Sequence, residues 1–228
     1  MSLNATEAII KAFNFTFVVY EKGNLLSMIY ALCALLPIFI VSSIVVIIFV
    51  NREYQSLFLM VGILVNEIVN DFLKHTFAQD RPANVYVAKF RNVSLDTPEL
   101  VEHFGMPSSH SQFMFFFACT CLCWFRIRSK YWKNITWISL FSGASLVAYS
   151  RIAMHYHSIP QVLVGVSVGI CTGTLWSYFT SLVLVPKLIP LLDSFSFISD
   201  FLCFHSNESI DSTIEYQSKC LRDGKKNK

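Results

Sequence analysis

Five long apolar runs alternate with polar connections along the chain, at residues 25–50, 57–73, 111–125, 135–149 and 162–185. A helix needs about 20 residues to cross a hydrocarbon layer roughly 30 Å thick, and runs that are hydrophobic on every side differ from the single apolar stripe of a soluble surface helix. The pattern therefore predicts an all-α fold, a polytopic membrane helix bundle of about five transmembrane helices, over residues 25–185. Residues 8–20 are apolar but too short and interrupted to span, so they are expected at the membrane interface within an N-terminal segment 1–24. Beyond position 185, Pro186 and Pro190 break the apolar character. The segment 186–228 is expected to be interfacial as far as Phe204 and then a disordered polar tail. The first run has no small-residue cleavage site after it and reads as a span, not as a cleaved leader.

Polar positions inside the runs matter most, because hydrocarbon makes them costly. Asn66, Glu67, Asn70 and Asp71, followed by Lys74, recur at helical spacing and are expected on one face of the second helix. They form either a polar seam between helices or a support for Lys74. The connection 74–110 is longer than thirty residues, and loops of that length usually carry function. Within it, Asp96-Thr97-Pro98-Glu99 has the cap, early proline and glutamate of a helix start, which predicts a short surface helix over 97–104. The run Phe113-Met114-Phe115-Phe116-Phe117 is expected to face lipid.

Composition strengthens the membrane reading: of 228 residues, 54% are hydrophobic and only 14% charged, a more apolar balance than a soluble domain has. Five of the seven cysteines lie within apolar runs, so a disulfide framework is not expected. Cys119, Cys121 and Cys123 would spread around a helix and not converge on a metal. No metal or other cofactor is implied. The expected partners are the bilayer and a lipid substrate, with no nucleic acid and no obligate protein partner.

Three polar clusters flank the helices. The first runs from Lys74 to Arg81-Pro82, the second is Gly105-Met106-Pro107-Ser108-Ser109-His110, and the third holds Ser150-Arg151, His157 and Gln161. The second and third end loops that are two apart, so they share a membrane face. Phosphoryl transfer needs cations on the equatorial oxygens, a nucleophile in line with the leaving group and an acid for the leaving oxygen. Lys74, Arg81 and Arg151 can clamp a phosphate. Ser108 and the amides near Ser109 stand at a helix start, where anions bind. His110 and His157 can divide the roles of acid and nucleophile, and the residues alone leave open which one attacks. His155 is off this spacing and reads as a bystander.

These clusters resemble the type 2 phosphatidic acid phosphatase superfamily, whose signatures read Lys-x6-Arg-Pro, Pro-Ser-Gly-His and Ser-Arg-x5-His-x3-Asp. Lys74, Arg81 and Pro82 match the first completely. The second has Ser109 in place of Gly, and the third has Gln161 in place of Asp. The resemblance implies that His157 attacks phosphorus to form a phosphohistidine, that His110 protonates the leaving oxygen and that no metal is required. Gln161 would orient the His157 ring without the charge an Asp would bring. The segment 105–114, the Asn66-Glu67, Asn70 and Lys74 spacing and Leu35-Leu36-Pro37 look like the dolichyldiphosphatase branch.

That branch implies hydrolysis of a polyisoprenoid diphosphate, dolichyl diphosphate, to the monophosphate and inorganic phosphate, recycling the glycan carrier of protein N-glycosylation. A broader lipid phosphate phosphatase is the alternative within the same chemistry, and an inactive transporter or scaffold the alternative outside it. Five spans put the loops 74–110 and 150–161 on one face. The other face carries Arg52, Arg126, Arg128, Lys130, Lys133, Lys187, Lys219, Arg222, Lys225, Lys226 and Lys228, eleven of the eighteen basic residues. Basic loops stay cytosolic, so the site is expected in the lumen. Lys225 and Lys226 also resemble a dilysine retrieval signal of the endoplasmic reticulum, which operates on a cytosolic tail.

Overall fold

A computed structural model describes residues 10–13, 18–21, 23–84, 87–88, 104–124, 130–189 and 191. Within them the apolar runs are helical. The first run is two helices, α1 (Leu25–Cys33) and α2 (Leu36–Asn51). They are followed by α3 (Tyr54–Phe77), α4 (Ser109–Trp124), α5 (Lys130–Ala153) and α6 (Ile159–Phe179), which continues as a π-helical segment, Thr180–Leu188. The α1–α2 pair, α3, and α6 with its continuation are each long and apolar enough to cross a membrane. With α4 and α5 they make five helical rods.

Pro37 explains the interruption of the first rod. It has no N–H to return to the preceding turn, and the chain closes up with tighter bonds, from Leu35 N–H to Leu32 O and from Ile38 N–H to Leu35 O, both 3.0 Å. The polar ends of the other helices are longer than hydrophobicity alone predicts: Lys74 lies in the last turn of α3, Arg151 in the last turn of α5 and Gln161 in the first turn of α6. Backbone hydrogen bonding, not hydrophobicity, sets these ends. Both α3 and α5 stop where a residue turns left-handed, Ala78 with φ 44° and His155 with φ 54°.

The N-terminal region departs from the all-helical expectation. β1 (Ile10–Phe13) pairs antiparallel with β2 (Val18–Glu21), Ile10 opposite Glu21, as the β-branched and aromatic run Val18-Val19-Tyr20 favours. β2 is tied to α1: Glu21 N–H donates to Ser27 Oγ at 3.0 Å, and Asn24 Oδ1 caps α1 by accepting from Leu26 and Ser27 N–H. The helix expected over 97–104 lies outside the described residues except for Phe104, which forms an isolated antiparallel bridge with Asp80.

By internal packing the chain divides into two units, Met1–Ile40 with Ile63–Ser177 and Val41–Gly62 with Tyr178–Lys228. In the second, Tyr54 is buried and stacks on Phe58 with ring centroids 6.3 Å apart. In the first, α4 is central. Phe113, Met114, Phe115 and Phe116 are all buried, which corrects the lipid-facing assignment. One side of α4 packs on a stripe of glycines on α6, spaced four apart and so on one face, and Phe115 meets Phe141 of α5 edge to face at 5.9 Å. A Cβ on Gly165 would stand 2.7 Å from Ser108 O and one on Gly173 2.7 Å from Phe116 O, while one on Gly169 would collide with the Gln112 carbonyl.

A polar seam joins α3, α4 and α6. Asn70 Nδ2 donates to Gln112 Oε1 at 2.8 Å, Gln112 Nε2 donates to both O and Oδ1 of Asn66 at 3.0 Å, and Thr172 Oγ1 donates to Asn66 Oδ1 at 2.9 Å. Glu67 and Asp71 are exposed and take no part. At about 100° per residue they lie a quarter-turn from Asn66 and Asn70, so the expected single polar face is two. Asp71 instead pairs with His75 at 3.7 Å.

Candidate active site

The end of α5 builds the third cluster. Tyr156 N–H donates to Arg151 O at 3.0 Å and His155 N–H to Ile152 O at 3.0 Å, the paired bonds of a helix end closed by a left-handed residue. His155 supplies that residue, so its contribution is to the backbone turn. His157 N–H reaches the same Arg151 carbonyl at 3.2 Å. The turn thus folds His157, buried, back onto the carbonyl of Arg151, also buried.

Ser158 then starts α6 as half of a capping box. Val162 N–H donates to Ser158 O at 3.1 Å, the first backbone bond of the helix, and Gln161 Oε1 accepts from Ser158 N–H at 3.1 Å, the glutamine half of a Ser-x-x-Gln box. The other end of the Gln161 amide crosses to the first cluster, where Nε2 donates to Asp80 O at 2.8 Å. Gln161 O accepts from Ser108 N–H at 3.1 Å. One glutamine therefore fastens all three clusters.

The second cluster is pinned from the other side. Gly105 N–H donates to Gln79 O at 2.6 Å, next to the Asp80–Phe104 bridge, and the Phe104 ring meets His75 edge to face at 5.9 Å. Gly105 is packed so closely that a Cβ would lie 2.7 Å from Gln161 Nε2 and 2.9 Å from Arg81 Cγ. Its carbonyl takes the Nδ1–H of His157 at 3.0 Å. Since a carbonyl only accepts, Nδ1 carries the proton and Nε2 of the neutral ring presents its lone pair. The His157 ring is thus held by a backbone carbonyl in addition to the side-chain bond from Gln161.

The cations converge on the same place. Lys74 Nζ donates to Ser109 Oγ at 3.2 Å; its partner is the serine that stands where the superfamily signature has glycine. Arg151 Nη2 is buried and has no hydrogen-bond partner among the described residues. His110, in the first turn of α4, meets the Ala34 carbonyl and lies within electrostatic range of Arg151, His157 and Arg81. That carbonyl is available because the Pro37 break diverts Ile38 N–H to Leu35 O. Burial, then the charges of Arg81 and Arg151, push His157 down from its ordinary 6.5 to about 3, against the opposing bonds from Gly105 and Gln161.

Of the residues singled out by spacing, Lys74 is bonded to Ser109 and His157 to Gln161, and Arg81, His110, Arg151 and His157 lie within electrostatic range of one another. Ser108 differs. It is fully buried, its N–H is held by Gln161 O, and its Oγ accepts from Ser111 Oγ at 3.1 Å. The first bond into α4 runs from Gln112 N–H to Ser108 O, so the amides of Ser109 and His110 have no partner inside the helix and are the ones suited to an anion. Spacing had missed Asn84, buried, whose Nδ2 donates to Met154 O at 3.0 Å and locks the first loop to the third. It had also missed Tyr156, whose ring lies 5.0 Å from the Arg151 guanidinium carbon.

A model of the PAP2 superfamily matches residues 55–183, more than half of the chain. The chain belongs to the PAP2 superfamily. Among its relatives, dolichyldiphosphatase of Saccharomyces cerevisiae is 33% identical over 178 residues, 75% of this chain and 71% of the relative. Dolichyldiphosphatase 1 of Homo sapiens is 29% identical over 91% of this chain and 86% of its own length. Lipid phosphate phosphatase gamma of Arabidopsis thaliana is 30% identical over 95% of this chain and 93% of its own. A PAP2 type phosphatidylglycerolphosphate phosphatase from Bacillus subtilis superposes with a TM-score of 0.54, at 21% identity, over 68% of this chain and 77% of that one; at that identity it is the fold that is shared.

Proposed function

We propose that this PAP2 protein, a membrane lipid phosphatase, hydrolyses dolichyl diphosphate to dolichyl phosphate and inorganic phosphate on the lumenal face of the endoplasmic reticulum. The observation that carries the chemistry is the His157 ring, with Nδ1–H engaged by Gly105 O, so that Nε2 is the free lone pair beside Arg81 and Arg151. Nε2 attacks the terminal phosphorus while the bond from phosphorus to the bridging oxygen breaks. His110 gives that oxygen its proton, and dolichyl phosphate leaves. Water then attacks the phosphohistidine, giving a proton to His110 as the P–N bond breaks, and phosphate departs with both rings restored. Lys74, Arg81, Arg151 and the Ser109 and His110 amides neutralise the equatorial oxygens. These cations are side chains, so the cycle calls for no metal ion.

The choice of dolichyl diphosphate is supported by the names of the yeast and human relatives. The Arabidopsis relative, named for lipid phosphates and matching nearly the full length, supports a broader lipid phosphate phosphatase as the second reading. The lumenal orientation is supported by the excess of basic residues on the opposite face. Phosphate release by purified protein in detergent, with chelator present, tests the reading on dolichyl diphosphate, dolichyl phosphate and phosphatidate. The diphosphate is expected to be preferred, His157→Ala to release none, and His110→Ala to lose about 10²- to 10⁴-fold. Equal rates on phosphatidate would establish the broader reading. Near wild-type turnover by either variant would remove that histidine from the mechanism.

A further inference from the structure

We propose that Tyr156 is a positioning residue for the phosphate clamp, its ring holding the Arg151 guanidinium and its hydroxyl held in turn by the N-terminal hairpin, so that β2 helps to set oxyanion affinity. The identity of the anion rests on the functional reading above; the coupling of hairpin, ring and guanidinium does not.

Arg151 is almost wholly buried, 4% exposed, yet its side chain is lightly anchored. Nε reaches Ser150 Oγ only at 3.5 Å, and Nη2 has no hydrogen-bond partner among the described residues. A hydrogen-bonding partner would fix the group but consume a donor that a phosphate needs. Stacking fixes it without that cost, because an aromatic face attracts the cation and leaves the in-plane N–H groups free. The Tyr156 ring, 5.0 Å from Cζ, does this.

The ring must itself be held. Its backbone is set by the turn in which Tyr156 and His157 N–H both bond to Arg151 O. Its far end is set by the hydroxyl, which accepts the N–H of Val19 at 3.3 Å from 137 residues away. Val19 is completely buried. Its N–H is an outer-edge donor of a two-stranded hairpin, a group that needs a partner when it is out of water. The hairpin thus closes a chain of contacts from β2 through Tyr156 to Arg151, and the next residue after Tyr156 is His157.

The test compares full-length wild type with Tyr156→Phe, Tyr156→Leu, Val19→Pro and the Tyr156→Phe/Val19→Pro double variant in detergent. Three quantities are read: the dissociation constant of orthovanadate by titration calorimetry, KM and kcat on dolichyl diphosphate, and the thermal midpoint. Tyr156→Leu is expected to weaken vanadate about ten-fold and to raise KM in parallel. Tyr156→Phe and Val19→Pro each weaken it about two- to three-fold, and the double variant no further, because both remove one bond. Val19→Pro removes an edge donor but also replaces a buried side chain; if it does not fold, Tyr156→Phe reads the same bond. A purely structural role would lower the thermal midpoint and the active fraction while leaving the vanadate constant within two-fold, and that result overturns the proposal. Tyrosine-dependent vanadate binding without lipid turnover would reject the functional reading and keep the positioning role. Wild type that binds no vanadate would reject both.

Discussion

A Cβ at position 105 would be 2.7 Å from Gln161 Nε2 and 2.9 Å from Arg81 Cγ, so the smallest possible side chain there displaces two groups of the site at once. Gly105→Ala is expected to cost about 1–3 kcal/mol of local strain and to move the carbonyl that holds His157, lowering kcat/KM by about ten- to a hundred-fold. Wild-type kinetics from that variant would mean the carbonyl contact is dispensable. His157 itself makes a pH prediction. Its pKa is about 3 in the fold against an ordinary 6.5, so it stays neutral, with Nε2 unprotonated, through mildly acidic pH. The acid limb of kcat/KM, corrected for ionisation of the substrate phosphate, is expected well below 6.5; a limb at 6.5 would place the essential base elsewhere. Stability has the matching sign. Above pH 6.5 neither state binds the proton, and between 6.5 and about 3 only the unfolded chain does, so this residue's penalty grows as pH falls through that window.

Among the elements, α4 and α6 are held at backbone contact by glycines, and the same residue type serves differently elsewhere. Gly169 on α6 has the Gln112 carbonyl where a Cβ would go, whereas Gly143 on α5 has nothing within 4 Å. The two glycines should therefore respond to alanine with opposite signs. Gly169→Ala is expected to destabilise by about 1–3 kcal/mol, because a helix backbone cannot give way as a side chain can. Gly143→Ala is expected to be neutral or to stabilise by about 0.5–1 kcal/mol, from reduced freedom of the unfolded chain. Thermal midpoints in detergent check the pair, and a shared sign would mean that close approach is not what the stripe provides. Spacing four apart at 165, 169 and 173 does not by itself say which helix the stripe faces, since any neighbour with an accessible backbone would fit.

For the whole molecule, the side of the membrane decides which lipid pool the site reaches. With all five runs spanning, eleven of the eighteen Lys and Arg are expected on the face away from the three clusters, and three of the remaining seven, Lys74, Arg81 and Arg151, belong to the proposed anion site. The lumenal orientation proposed on that asymmetry makes a protection prediction: in sealed microsomes, protease should remove a tag placed after Lys228 and spare one placed within residues 96–102. The opposite pattern would put the site in the cytosol and end the lumenal recycling role.

The spans and the candidate site residues could be read without coordinates because both are local properties. Hydrophobicity sums along a run, and Lys74, Arg81, His110, Arg151 and His157 carry groups that no other residue types replace. Three things needed the tertiary structure. The anchor of His157 is a backbone carbonyl, and every residue has one, so sequence cannot distinguish Gly105 from its neighbours. The inward-facing side of α4 was hidden because a phenylalanine buried against glycine and one buried in lipid look alike in hydropathy. The hairpin contact from Val19 to Tyr156 joins groups 137 residues apart, and no period or spacing along the chain relates them until the fold brings them within hydrogen-bonding distance.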